Sequence, residues 1–309
     1  MKNLLSKTLN SVLVVSSMAY MACSPNNFSQ EKVKSSNSDI SLFPEFLDSS
    51  SDIIGGSKVK PTDSIISSIV GIYDISAGAI CTGSIIDNNI VLTAAHCINS
   101  DPSQMVILFG TNLDATKVFR RVDFAGAHKL YAPQDNEESE WNDIGLIHFV
   151  GQLPKGFKPA KFLPNQYKIK AGDLTLLAGY GLSDGVNKTG ASVLRKTSVA
   201  IANPEFFQGQ VVLDQRAGRG ACHGDSGGPA YIQTKDGLML WGVTSRGYHD
   251  KLDHCSQFAV YTNSIKYNKW INDSKLYFQY QFGQDEFTTN NTTVTPAQLN
   301  EMKIALFMN

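Results

Sequence analysis

Between Ile53 and Tyr261 the chain holds no run of helical period longer than about ten residues. Short β-branched and apolar runs recur instead, bounded by Gly, Asn and Asp. They are Ile65 to Tyr73, Gly83 to Ile86, Met105 to Phe109, Leu174 to Ala178 and Leu238 to Thr244. Short strands so punctuated are the pattern of an all-β sandwich or barrel. A doubly wound parallel sheet needs crossover helices between its strands, and these are missing. The first helical segment is Ser264 to Asp273, where Ile265, Trp270 and Ile271 fall on one side.

Charge narrows the partners. The 27 Lys and Arg against 28 Asp and Glu give a net charge of -1, which makes no electrostatic case for nucleic acid or an anionic membrane surface. Apolar residues at 42% and charged residues at 18% exclude wholesale disorder. The 309 residues suit two units or one large all-β domain. Five cysteines, Cys23, Cys81, Cys97, Cys222 and Cys255, form no CxxC pair, so a zinc ribbon or a thioredoxin-like motif is unsupported.

Lys2 and Lys7 precede an apolar stretch from Ser11 to Ala22, too short to span a bilayer and suited to a signal-peptide core, so residues 1–22 are expected to be a signal peptide. The stretch ends Tyr20-Met21-Ala22-Cys23, which resembles a bacterial lipoprotein cleavage box, with Tyr20 where such boxes usually carry Leu. The resemblance implies an exported protein lipidated at Cys23 and anchored to a membrane without spanning it. Ordinary cleavage nearby would leave Cys23 an incidental thiol. Residues 23–52 read as a flexible tether or propeptide, because nine of the 29 residues from Ser24 to Asp52 are Ser. Leu42 to Leu47 is an apolar island within it.

Three motifs carry chemistry: Thr93-Ala94-Ala95-His96-Cys97, Asn142-Asp143-Ile144-Gly145, and Gly224-Asp225-Ser226-Gly227-Gly228-Pro229. A serine hydroxyl is a poor nucleophile until a base takes its proton, and histidine suits that role near neutrality. A carboxylate can fix the imidazole tautomer. Glycines beside the serine free the Gly224 and Ser226 N–H groups to converge on an oxyanion. Gly224-x-Ser226-x-Gly228 also fits the nucleophile elbow of α/β-hydrolases, with His249 and His254 downstream. An elbow lies between a buried strand and a helix, whereas Arg216 to His223 is polar and Gly-rich, so context disfavours an esterase.

Together these motifs resemble the trypsin/chymotrypsin family of serine endopeptidases, over roughly Ile53 to Lys275. The resemblance implies two six-stranded antiparallel β-barrels, a C-terminal helix and a cleft between the barrels. His96 and Asp143 would come from the first barrel and Ser226 from the second. It implies His96 as general base, Asp143 as its orienting carboxylate and Ser226 as nucleophile. It pairs Cys81 with Cys97 and Cys222 with Cys255, leaving Cys23 for the lipid, in an oxidising location. No metal or organic cofactor is expected: the loop after Gly110 lacks the closely spaced acidic pair of calcium-binding relatives.

Ile53-Ile54-Gly55-Gly56 matches the start of the mature chain in this family. Cleavage there frees an α-amino group that pairs with the Asp before the nucleophile, here Asp225. Asp52 precedes the expected cut, so trypsin-like autoactivation is disfavoured and a separate activating protease is expected. The α-amino group ordinarily titrates at about 7.7–8.0. Pairing would raise that value, so activity should be lost as pH climbs through it.

The resemblance puts Gly220 on the floor of the primary pocket, where an Asp would select Lys or Arg. Ser245, Arg246 and Gly247 form the wall, with Ala259 opposite. The expected substrate is a protein or peptide cut after a medium or large apolar residue, not after Lys or Arg. Arg246, His223 and Asp52 leave acidic side chains as a second possibility. Asp135, Glu137, Glu138 and Glu140 form an acidic insertion, read as a solvated loop or a negative rim. A catalytically silent surface binding protein is the reading from another class.

The extension 276–309 begins with Phe278-Gln279-Tyr280-Gln281-Phe282, whose alternation predicts an added strand. Thr295-Pro296-Ala297-Gln298 predicts a capped helix to about Phe307, with Leu299, Met302 and Leu306 on one face. It would dock on the catalytic domain or bind a partner.

Overall fold

The computed structural model describes residues 53–133, 141–207, 209–283 and 294–308. The expected signal peptide, Cys23, the Ser-rich segment 24–52 and the acidic residues 135, 137, 138 and 140 lie outside the described residues.

Strand β1 (Ser57–Lys58) leads into β2 (Ile69–Asp74), β3 (Ala79–Asp87), β4 (Ile90–Thr93), β5 (Met105–Leu108), β6 (Phe119–Ala127) and β7 (Gly145–Phe149). Strands β2 to β7 close into an antiparallel barrel in the order β2-β3-β4-β7-β6-β5. Val70, Ile72, Ile85, Ile107, Ile147 and Phe149 fill its interior. The expected Ile65–Tyr73 strand starts late: Ser64–Ser68 is a 3₁₀ turn. There the Ser67 hydroxyl donates to the Ser64 carbonyl at 2.8 Å, drawing the backbone out of extended geometry.

The second barrel is built from β8 (Leu174–Gly179), β9 (Arg195–Phe206), β10 (Gln210–Asp214), β11 (Pro229–Thr234), β12 (Gly237–Tyr248) and β13 (Phe258–Asn263). A β8–β9 pairing closes it, and β1 adds to the free edge of β9. Its core centres on Trp241 and Tyr261 with Leu177, Val211 and Leu213. A third apolar cluster, including Leu92, Leu146, Tyr180 and Leu240, joins residues of both barrels to the C-terminal helices.

Helix α1 (Asn268–Phe282) corrects two expectations. It starts later than Ser264 and runs through Phe278–Phe282, which is helix and not strand. Trp270, Ile271, Ser274, Tyr277 and Phe278 are buried at helical spacing, while Tyr280 is exposed. Phe278 and Phe282, four apart on one face, both meet Phe124 of β6. Helix α2 (Pro296–Phe307) carries the expected capping box: Gln298 N donates to Thr295 Oγ1, and Thr295 N donates to Gln298 Oε1. Leu306 is buried, and Leu299 and Met302 are half-buried.

Candidate active site

His96 lies on a 3₁₀ turn, Ala95–Cys97, that follows β4, and a disulfide ties Cys97 to Cys81 on β3. Asp143 precedes β7 and is 1% exposed. Its Oδ1 accepts from the His96 backbone N–H at 3.0 Å. Its Oδ2 accepts from His96 Nδ1 at 2.8 Å and from the Ser245 hydroxyl at 2.6 Å. Thr262 Oγ1 donates to the Asp143 carbonyl at 2.8 Å. Burial of His96 opposes its positive charge, but the hydrogen bond and charge of Asp143 outweigh burial, and its pKa lies above the ordinary value. With Nδ1 donating to Asp143, Nε2 is the nitrogen able to take a proton.

A second imidazole–carboxylate pair shows what is particular about the first. His148 Nδ1 meets Asp123 Oδ1 at 2.6 Å, but its Nε2 meets the Asn89 amide at 2.7 Å. Both nitrogens are occupied, so His148 has no position from which to act as a base.

Ser226 sits on the loop from Cys222 to Gly228, held against the first barrel. Thr82 Oγ1 donates to the Gly224 carbonyl at 2.8 Å, and Thr82 N donates to the Ser226 carbonyl at 2.8 Å. Gly224 and Gly227 have φ of 96° and 78°, which disfavours other residues. A Cβ on Gly227 would also overlap Thr93 Oγ1. The N–H groups of Asp225, Gly227 and Gly228 all donate to backbone carbonyls. Those of Gly224 and Ser226 have no acceptor among the described residues. The Ser226 hydroxyl is not hydrogen-bonded to His96; contacts of this kind often tighten only on substrate binding.

Gly220 is backed by a residue that the motifs do not flag. Gln215 is 1% exposed and fills the space a Gly220 side chain would need. Its Oε1 accepts from Ala221 N at 2.7 Å, and its Nε2 donates to the Ala221 and Cys255 carbonyls at 3.2 Å each. Cys255 is disulfide-bonded to Cys222. Gly247 faces open space and pairs with the buried Ala259 across β12 and β13. The Ser245 hydroxyl is spent on Asp143, not on the pocket. The Arg246 guanidinium lies 4.1 Å from the centre of the Trp141 ring and donates to Gln210 Oε1 at 2.8 Å. His223 pairs with Asp253 at 2.8 Å.

Ile53 is buried, with a φ of 78° that a β-branched residue rarely adopts. Ile54 bridges Gly220, whose N–H donates to the Ile54 carbonyl at 3.0 Å. Asp225 is 2% exposed, and its carboxylate accepts from Gly181 N and Cys222 N at 2.8 Å each. Burial pushes its pKa up to about 6 against these two N–H groups and the charge of Arg195, all of which pull it down. Gly179 and Gly181 make room for that carboxylate, since a Cβ on either would overlap it. No spacing rule in the sequence pointed to Gln215, Thr82, Gly179 or Gly181.

A profile of the trypsin family matches residues 53–271. The chain is 31% identical to a chymotrypsin of Phaedon cochleariae, over 73% of this chain and 83% of that protein. It is 30% identical to rat chymotrypsin-C, over 62% of this chain and 77% of that protein. It is 28% identical to the fibrinolytic enzyme isozyme C of Lumbricus rubellus, over 63% of this chain and 88% of that protein.

Proposed function

The chain belongs to the trypsin family of serine proteases, and from that premise we propose that it hydrolyses peptide bonds through His96, Asp143 and Ser226. The observation that carries this reading is His96 Nδ1 on the buried, three-times hydrogen-bonded Asp143 carboxylate, which leaves Nε2 for chemistry. Ser226 Oγ attacks the scissile carbonyl carbon as its proton passes to His96 Nε2. Asp143 stabilises the imidazolium that results. The oxyanion takes the two N–H groups of Gly224 and Ser226, already oriented and unclaimed. His96 then returns the proton to the departing amine, leaving an acyl ester on Ser226. Water, deprotonated by His96, then attacks the acyl carbon; the ester bond to Ser226 Oγ breaks, His96 returns the proton to Oγ, and the acid product leaves.

The pocket reading follows from Gly220, Gln215, Gly247 and Ala259. Gln215 is neutral and its amide is engaged with backbone, so no charge meets a substrate Lys or Arg. Arg246 and His223, the basis for an acidic preference, are engaged with Gln210 and Asp253. A medium or large apolar residue is the proposed preference, at about 1–3 kcal/mol of discrimination per methylene.

Activation by cleavage before Ile53 is supported by the coupling of this segment to the pocket through Ile54 and Gly220. A freed α-ammonium would add a positive charge beside the buried Asp225, whose pKa stays raised despite the charge of Arg195. Export, lipidation at Cys23 and an activating protease that cuts after Asp52 complete the proposal. Two disulfides suit an oxidising compartment.

The deciding experiment uses residues 23–309 with Cys23→Ser, as made and after engineered cleavage at the Asp52–Ile53 bond. A peptide library scans the residue before the cut. Activity that appears only after cleavage and disappears in Ser226→Ala is the expected result, with apolar residues dominating the profile. A cleaved protein that labels with no serine-directed reagent and cuts nothing would leave the surface-binding reading.

A further inference from the structure

The family match ends at residue 271, but the fold continues through α1 to α2. The tail ends against the segment that frames Asp143. Residues 128–132 and 141–144 run side by side. His128 N donates to the Ile144 carbonyl at 2.9 Å, and Ala132 N donates to the Trp141 carbonyl at 3.1 Å. Asn142, with φ of 49°, holds Asp143 from one side. Its Nδ2 donates to the Leu130 carbonyl at 3.1 Å, and its Oδ1 accepts from Tyr267 at 3.0 Å.

The last turn of α2 joins this ladder directly. A helix leaves its final carbonyls without partners in the helix. The Leu306 carbonyl takes Lys129 N at 3.1 Å from the ladder and Trp270 Nε1 at 3.0 Å from α1. Phe307 then enters an aromatic cluster, 5.1 Å from Phe124, 5.8 Å from Trp270 and 5.9 Å from Phe278. Gly126 admits the ring, since a Cβ there would crowd Phe307 Cδ1. The His128 ring packs edge-on against both Tyr267 and Trp270. Thus the Leu306 carbonyl holds Lys129, next to Leu130, and the Phe307 ring meets Trp270, which reaches Tyr267 through His128.

We propose that α2 is a positioning element for Asp143, acting through Leu306 and Phe307 on the 128–132 segment. The proposal rests on Asp143 serving His96 as read above. Among the described residues, the groups facing the pair are the Ser245 hydroxyl, donating to Asp143, and Tyr131 of the ladder. Burial, and then the charge of Asp143, push the Tyr131 pKa up to about 12, so it stays neutral through the assay range.

The test compares Phe307→Ala, Phe307→Leu and Phe282→Ala in the activated full chain. Phe282 shares the aromatic cluster, with ring contacts to Phe124, Phe278 and His148. Phe307→Ala should lower kcat about threefold to tenfold with KM unchanged. It should also move the acid limb of kcat/KM to lower pH by about half a unit, because Asp143 would hold the His96 proton less well. Phe307→Leu should recover most of both. Phe282→Ala should lower Tm without moving the acid limb. An unmoved acid limb in a folded Phe307→Ala, or an equal shift in Phe282→Ala, overturns the proposal. If Phe307→Ala does not fold, Trp270→Phe, which removes one donor to Leu306, is read by the same criteria. Activity surviving in Ser226→Ala would sink the triad reading instead.

Discussion

The two barrels contribute to the candidate site in opposite ways. The first presents His96 and Asp143 already bonded, on segments anchored by the Cys81–Cys97 disulfide, β7 and the Asn142 contacts. The second presents a loop whose shape depends on left-handed glycines and which buries the Asp225 carboxylate beneath it. The His96–Asp143 pair is therefore assembled by ordinary strand packing. The proposed nucleophile Ser226 and the Gly224 and Ser226 N–H groups sit on a loop that carries backbone constraint and an electrostatic cost. The proposed activation fits the second side, where burial raises the pKa of Asp225.

The largest effect expected is at Ser226. Ser226→Ala should reduce kcat by about a million-fold, some 8 kcal/mol, in steady-state assays of the cleaved chain. Asp143→Asn should cost about ten-thousand-fold, some 5 kcal/mol, by presenting the wrong tautomer to His96. The same comparison predicts a matching acid limb: His96 must be neutral to accept the Ser226 proton. Activity should fall as pH drops through its raised pKa, and a pH–rate profile reads this.

Gly227→Ala comes next and separates the barrels by stability. Its φ of 78° and its overlap with Thr93 Oγ1 should cost about 2–4 kcal/mol in denaturant unfolding. Asp225 should give a pH-dependent effect of similar size. In the uncleaved chain its pKa is about 6 against an ordinary 3.8. Between those values the folded chain holds a proton that the unfolded chain has released, so stability falls as pH rises through this window. Above it the cost is on the order of 3 kcal/mol. Thermal melts of the wild type and Asp225→Asn should differ in slope there before cleavage at Ile53. After cleavage the difference should vanish or reverse; a slope that persists argues against an inserted α-ammonium. The smallest effect is Gly247→Ala, whose methyl would face open space: within about 0.5 kcal/mol in stability, with a narrower substrate profile.

How much the sequence revealed depended on whether the signal was local. The His96, Asp143 and Ser226 motifs were legible because their neighbours are dictated by short-range geometry, as at Gly224 and Gly227. The tail misread the other way. Phe278 and Phe282 satisfy both a period of two and an i, i+4 helical pair, and a five-residue window cannot separate them. The burial of Trp270, Tyr277 and Phe278 against β6 and the interbarrel core decides for helix. At the other end, Ile65 to Ser68 carries a strand-like apolar pattern, but serine hydroxyls bonded to backbone carbonyls fold it into a turn.

By itself the sequence determined the β class, the order of the three chemical motifs, the capped final helix and the absence of a charged side chain at Gly220. These are properties of spacing, backbone propensity and residue charge, which a linear string carries in full. Tertiary structure alone decided that Gln215 backs Gly220, that Ser245 and Thr262 secure Asp143, that Thr82 holds the Ser226 loop and that Leu306 reaches Lys129. All but the Gln215 contact, which spans six residues, join residues far apart in the chain. Such partners are selected by barrel closure and by the need to satisfy buried polar groups, and neither leaves a periodic trace in the sequence.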